Sequence, residues 1–100
     1  HITGGGIKGN LSRIIPAGKC ARINLNKIKT HKIFSWLKKN KISDEEMLNT
    51  FNCGVGFIII INKKNFQNIR KYFKKKYDPY VIGKITDGKS KVLLDGQIYW

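Results

Sequence analysis

Apolar residues fall in short bursts along the chain, and the spacing between them changes period several times. Ile7 to Ile14 carries a short helical pattern, closed by the breaker run Pro16-Ala17-Gly18. Cys20 to Leu25 alternates instead, with Ala21, Ile23 and Leu25 on one face, and predicts a strand. From Thr30 the period returns to helical. Ile33, Phe34, Trp36 and Leu37 form an apolar stripe, with Lys38 and Lys39 where the negative helix end favours cations. Ser43-Asp44-Glu45-Glu46 is a capping box: Ser43 can accept from the backbone three residues on while Glu46 reaches back. It starts a short helix carrying Met47 and Leu48 and ending before Asn52. Val55 to Ile61, apolar on both faces, predicts a central strand. Phe66, Ile69, Tyr72 and Phe73 recur at helical spacing, and Lys71 and Lys74 to Lys76 read as the solvated face of that helix. Tyr80 to Ile85, the turn Asp87-Gly88-Lys89 and Lys91 to Leu94 close the chain as a hairpin. The expected architecture is an α/β or α+β sandwich, with one mixed sheet of about four strands covered by helices.

Length changes this picture little. One hundred residues give at most one domain, read here as residues 1–100 of a single, partial domain. An apolar share of 41% and a mean hydropathy of −0.34 belong to a soluble globular chain. No apolar stretch is long enough to span a bilayer, so no membrane partner is expected. The chain opens His-Ile-Thr without an initiator Met or a secretory leader, and it is read as beginning inside a longer cytoplasmic protein. Cys20 and Cys53 have no metal-ligand spacing and are expected as buried reduced thiols.

Charge changes the picture more. A net charge of +14 points first to a polyanion partner. Yet 17 of the 20 basic residues are Lys, whereas recognition of base edges and phosphates favours the Arg fork. Lys, Ile and Asn supply 42 of the residues, all written by A/T-rich codons, so compositional drift accounts for the surface. No specific nucleic acid is expected, although weak salt-dependent binding is.

Two segments carry candidate chemistry. His1-Ile2-Thr3-Gly4-Gly5-Gly6 leads into a helix, and glycines there allow close backbone approach and free amides aimed at an anion. Thr3 and His1 could add donors. The loop lacks the P-loop ending and the dinucleotide glycine spacing, so by itself it reads equally as a structural turn. The second segment, Thr50-Phe51-Asn52-Cys53-Gly54-Val55-Gly56, places glycines at the entry of the expected central strand. Helix-to-strand packing explains it as well as a cleft wall does. Asp44, Glu45 and Glu46 sit in a helix cap, and the remaining acids are spread over turns, so no metal site and no catalytic residue is assigned.

In this order the motifs are far more specific. His1 to Gly6, then Asn10-Leu11-x-Arg13-Ile14-x-Pro16, Ile33-Phe34-x-Trp36-Leu37 and Glu46-Met47-Leu48-x-Thr50 to Gly56 resemble the phosphoribosylformylglycinamidine cyclo-ligase family, also called aminoimidazole ribonucleotide synthetases. Tyr80 to Ile85 fits the family's last strands. The resemblance implies the C-terminal part of a cytoplasmic ligase of purine biosynthesis. That enzyme uses ATP and Mg²⁺ to convert formylglycinamidine ribonucleotide to aminoimidazole ribonucleotide, releasing ADP and phosphate. ATP would activate the formyl oxygen, and an amidine-side nitrogen would attack the activated carbon. It further implies a homodimer when full length, nucleotide and metal ligands mainly in a domain outside this chain, and no activity for the chain alone. His1, Thr3, Gly4, Gly5, Gly6 and Asn10 are the expected binding residues for substrate or phosphate, with Thr50, Asn52 and Gly54 as second-rank cleft residues. Another ATP-dependent synthetase of the same superfamily and a basic nucleic-acid-binding module are the alternatives. The second of these requires exposed aromatic side chains among the lysines.

Overall fold

The computed structural model describes residues 1–100. A mixed sheet is built around one strand. β1 (Lys19–Asn24) lies between β2 (Gly83–Asp87), antiparallel to it, and β3 (Val92–Asp95), parallel to it. Cys20 faces Thr86 and Ile23 faces Gly83 on one side, while Ala21 faces Val92 and Ile23 faces Leu94 on the other. Ion pairs from Lys19 to Asp87 (2.6 Å) and from Arg22 to Asp95 (3.3 Å) span the two strand pairs.

The C-terminal strands do not form the expected hairpin. They flank β1 instead, and the connection between them rounds its beginning, where the Gly88 amide donates to the Gly18 carbonyl (3.1 Å). Burial explains the arrangement. Ala21 and Ile23 are almost fully buried, and a strand that apolar is better bonded on both edges than left at a margin.

The first helix packs against β3 and against the third helix. α1 (Gly6–Leu11) buries Ile7 and Leu11, and α3 (Asp44–Thr50) buries Met47 against it. Ser43 caps α3 by accepting from the Glu46 amide at 3.1 Å, so half of the expected capping box forms. α2 (Lys32–Lys39) departs from its predicted stripe. Phe34 and Leu37 pack against the core, whereas Ile33 and Trp36 stand largely exposed. α4 spans only Phe66–Arg70, and beyond it Arg70 grips Asp78 through two bonds of 2.7 and 2.6 Å. Between the two clamped residues the lysine-rich stretch leaves the α-helix as turns, with one short 3-10 helix at Lys75–Tyr77.

The largest correction concerns Val55 to Ile61. The expected central strand has no strand partner, so the sheet has three strands rather than four. Val55 is buried at its entry, but Phe57 is 68% exposed and Ile59 and Ile60 are 47% exposed. Apolar β-branched residues set an extended backbone, but a strand requires a neighbour to bond, and beyond Gly56, whose carbonyl accepts from the Ile2 amide, these residues have none. Only 15 residues are buried, and the molecule is a plate measuring 41 × 36 × 21 Å.

Candidate functional site

The two glycine-bearing segments come together at one corner of the plate. Ile2 is buried and its amide donates to the Gly56 carbonyl at 2.9 Å, which moors the start of the chain to the second segment. The loop then rises into solvent at Thr3, Gly4 and Gly5 and returns to the core at Gly6. Gly5 and Gly6 both have positive φ, 93° and 65°. Gly6 also lies so close to the end of α3 that a Cβ would overlap the Leu48 carbonyl oxygen and stand 3.2 Å from that of Phe51. Only a glycine lets the loop and α3 meet there.

The loop's hydrogen bonding separates its two sides. The Asn10 amide group donates to the carbonyls of Thr3 (3.2 Å), Gly4 (3.3 Å) and Gly6 (2.7 Å), while Asn10 Oδ1 accepts from the Thr3 hydroxyl (3.3 Å). The carbonyls are thereby gathered inward around one side chain. Gly6 donates to the Thr3 carbonyl at 3.3 Å, but the amides of Gly4 and Gly5 donate to no protein group and both residues are exposed. Two adjacent N–H groups with solvent before them and their carbonyls held behind can receive an oxyanion.

The expected site residues thus divide by role. Gly4 and Gly5 present free donors, Gly6 is the packing point, and Asn10 acts as the strut of the loop with its polar atoms already engaged. The His1 ring stacks on Phe57, 6.4 Å between centroids. Thr50 is exposed at the end of α3. Asn52 accepts from the Gly54 amide at 3.0 Å, closing a tight turn in which Cys53 takes a positive φ of 53°. Gly54 then packs on the backbone of Lys29 and Thr30. Sequence reading missed the Leu48 carbonyl beneath Gly6 and the Phe57 ring beside His1. For Asn10, the available signal was an amide side chain one helical turn after the last of three glycines.

Residues 1–96 match the family described as AIR synthase related protein, C-terminal domain. The chain belongs to that family. Among its relatives, the phosphoribosylformylglycinamidine cyclo-ligase of Staphylococcus carnosus (strain TM300) is 36% identical over 96 residues, which is 94% of this chain and 28% of the relative. The enzyme of the same name from Staphylococcus aureus (strain Newman) is 38% identical over 95 residues, 93% of this chain and 28% of that protein. The chain therefore spans little more than a quarter of the length of the curated relatives it matches.

The residues of this chain do not fit a magnesium ion. No three carboxylate, His or Cys side chains converge, and most acids are already engaged. Asp44 meets Lys38 and the Trp100 ring N–H, Asp95 meets Arg22, and hydrogen bonds from Arg70 and Lys19 hold Asp78 and Asp87 below the usual carboxylate range. The two thiols are free and buried, as expected. Burial, with a smaller contribution from Asp44, pushes the Cys53 thiol up from 9.0 to about 11. The unfolded thiol ionises first, so this contribution to stability is complete below pH 9.0 and is lost as pH rises towards about 11. A Cys53→Ser chain should lack that alkaline loss when urea midpoints are compared across the window.

No helix is long and apolar enough to cross a membrane.

Proposed function

We propose that this chain is the C-terminal, partial domain of an ATP-dependent cyclo-ligase. The whole enzyme would convert formylglycinamidine ribonucleotide to aminoimidazole ribonucleotide, ADP and phosphate in the cytoplasm. The reading is carried by family membership over residues 1–96, together with the common name of the relatives. Within it, the amides of Gly4 and Gly5 hold an anionic oxygen of the nucleotide substrate or of ATP, Asn10 keeps them pointed outward, and Thr50 stands at the edge of the same cleft. ATP supplies the phosphoryl group that makes the formyl oxygen a leaving group. The remainder of the enzyme holds Mg²⁺ and most of the nucleotide, and it makes the homodimer contact. The chain alone is then inactive, because its loop forms one wall of a crevice whose other wall lies elsewhere in the enzyme.

Gly4 is the clean place to test the loop. A Cβ there meets nothing within 4 Å and the residue does not have positive φ, so a side chain obstructs the anion without straining the fold. The vehicle is a chimera in which this chain replaces the matched region of the Staphylococcus carnosus relative. It should close the imidazole ring, and Gly4→Val should raise the substrate KM about tenfold, or ~1.4 kcal/mol, with an unchanged melting temperature. Unaltered kinetics would remove the loop from the site.

One observation favours a second reading, a basic nucleic-acid-binding surface. Tyr72 and Tyr77 are 81% and 63% exposed, each with a lysine ammonium 5.5 Å from its ring centroid. On the enzyme reading this surface binds polyanions without selectivity. A single-stranded oligonucleotide should then lose about 10³-fold in affinity between roughly 50 and 200 mM salt. Sequence-selective binding that survives physiological salt would instead favour the second reading.

A further inference from the structure

Phe57–Ile61 has the composition of a buried strand without the surroundings of one. None of its backbone amides or carbonyls bonds to protein, and Phe57, Ile59, Ile60 and Ile61 are 68, 47, 47 and 37% exposed. An extended apolar run with unbonded ladder groups is a template for strand addition.

Its neighbour is indicated by the path of the loop. The Ile2 amide bonds the Gly56 carbonyl at 2.9 Å, and the His1 ring stacks on Phe57. Further along, Gly6 abuts the Phe51 carbonyl. As the chain advances from His1 to Gly6, the segment beside it retreats from Phe57 to Phe51, so the two run antiparallel. The side chains agree with this direction. Ile2 and Ile58 turn towards the core while His1 and Phe57 meet on the other side, the alternation of an antiparallel pair. Followed backwards through His1, the same track leads along Ile58 to Ile61.

We propose that Phe57–Ile61 is a strand completed by the polypeptide that precedes the matched region in the longer relatives, an extended apolar segment joined to His1 and pairing antiparallel. The occupant is fixed by the direction of the Ile2–Gly56 contact and by the relatives' length, of which this chain covers 28%. Register follows as well. Backbone groups of alternate residues point to the same edge, and Gly56 faces Ile2, so Ile58 and Ile60 face the incoming strand. The pairing would anchor the glycine loop from behind, and it holds whether or not that loop binds a nucleotide.

Residue-resolved hydrogen exchange tests it, comparing the 100-residue chain with the Staphylococcus carnosus chimera. In the chimera the Ile58 and Ile60 amides should exchange at least ~100-fold more slowly than in the isolated chain. Rapid exchange at both positions in the chimera would overturn the proposal. So would protection in the isolated chain that grows with concentration alongside a doubling of mass, because a second copy would then be the occupant. Should the chimera not fold, the same measurement on the Staphylococcus carnosus enzyme, at the residues matching Ile58 and Ile60, decides in the same way. Ring-closure activity is not read, so failure here and failure of the ligase reading stay distinguishable.

Discussion

Replacing Gly6 with alanine should nearly unfold this domain, whereas alanine at Gly4 should leave it intact. Two costs coincide at Gly6. Its φ of 65° is one that side chains rarely adopt, and the added methyl would overlap the Leu48 carbonyl oxygen. Backbone strain of about 1–3 kcal/mol and overpacking of about 1–3 kcal/mol together predict a loss of about 3 kcal/mol or more. Relief would require α1 and α3 to separate, which uncovers Ile7, Leu11 and Met47, three of the best-buried side chains. Urea midpoints of the two alanine variants provide the comparison. Equal midpoints would show that the loop does not rest on α3.

Asn10→Asp should be the most damaging conservative change at the loop. The two side chains have nearly the same shape, but an ionised carboxylate donates no hydrogen bond. It would face the carbonyls of Thr3, Gly4 and Gly6, which the amide group now gathers. With one partly buried bond lost and repulsion in its place, the expected cost is about 2 kcal/mol, against about 1 kcal/mol for Asn10→Ala. In the chimera the aspartate should also raise KM more than the alanine does, because a negative charge would sit behind the anion-facing amides. The sign with pH follows from the proton. Protonated aspartate regains one donor, so the gap to wild type should narrow below about pH 4. A gap independent of pH would mean that Asn10 acts through packing alone.

Several elements were legible because their causes are local. The alternation of Cys20 to Leu25 and the Ser43 cap each depend on residues a few positions apart, and both appear where the pattern puts them. The glycine loop was legible as a turn, but the separate duties of its glycines were not, because they depend on where the end of α3 lies. Non-local causes misled. Turn residues at Asp87 and Gly88 say that the chain reverses, not that another strand will enter between its two arms. The apolar run after Val55 shows an extended conformation and nothing about who bonds it. Ile33 and Trp36 show the same limit on a helix, where an apolar stripe marks what can be buried and the neighbouring surface decides what is.

The central position of β1 has a consequence for biogenesis. Both of its bonding partners come from residues 83–95, more than fifty positions downstream. A nascent chain therefore carries β1 with two bare edges until residues 83–95 have left the ribosome. Closure of the sheet therefore demands long-range contacts, which form slowly. Any premature stop before Gly83 removes both flanking strands at once, leaving a product for chaperones and proteases rather than a shortened domain.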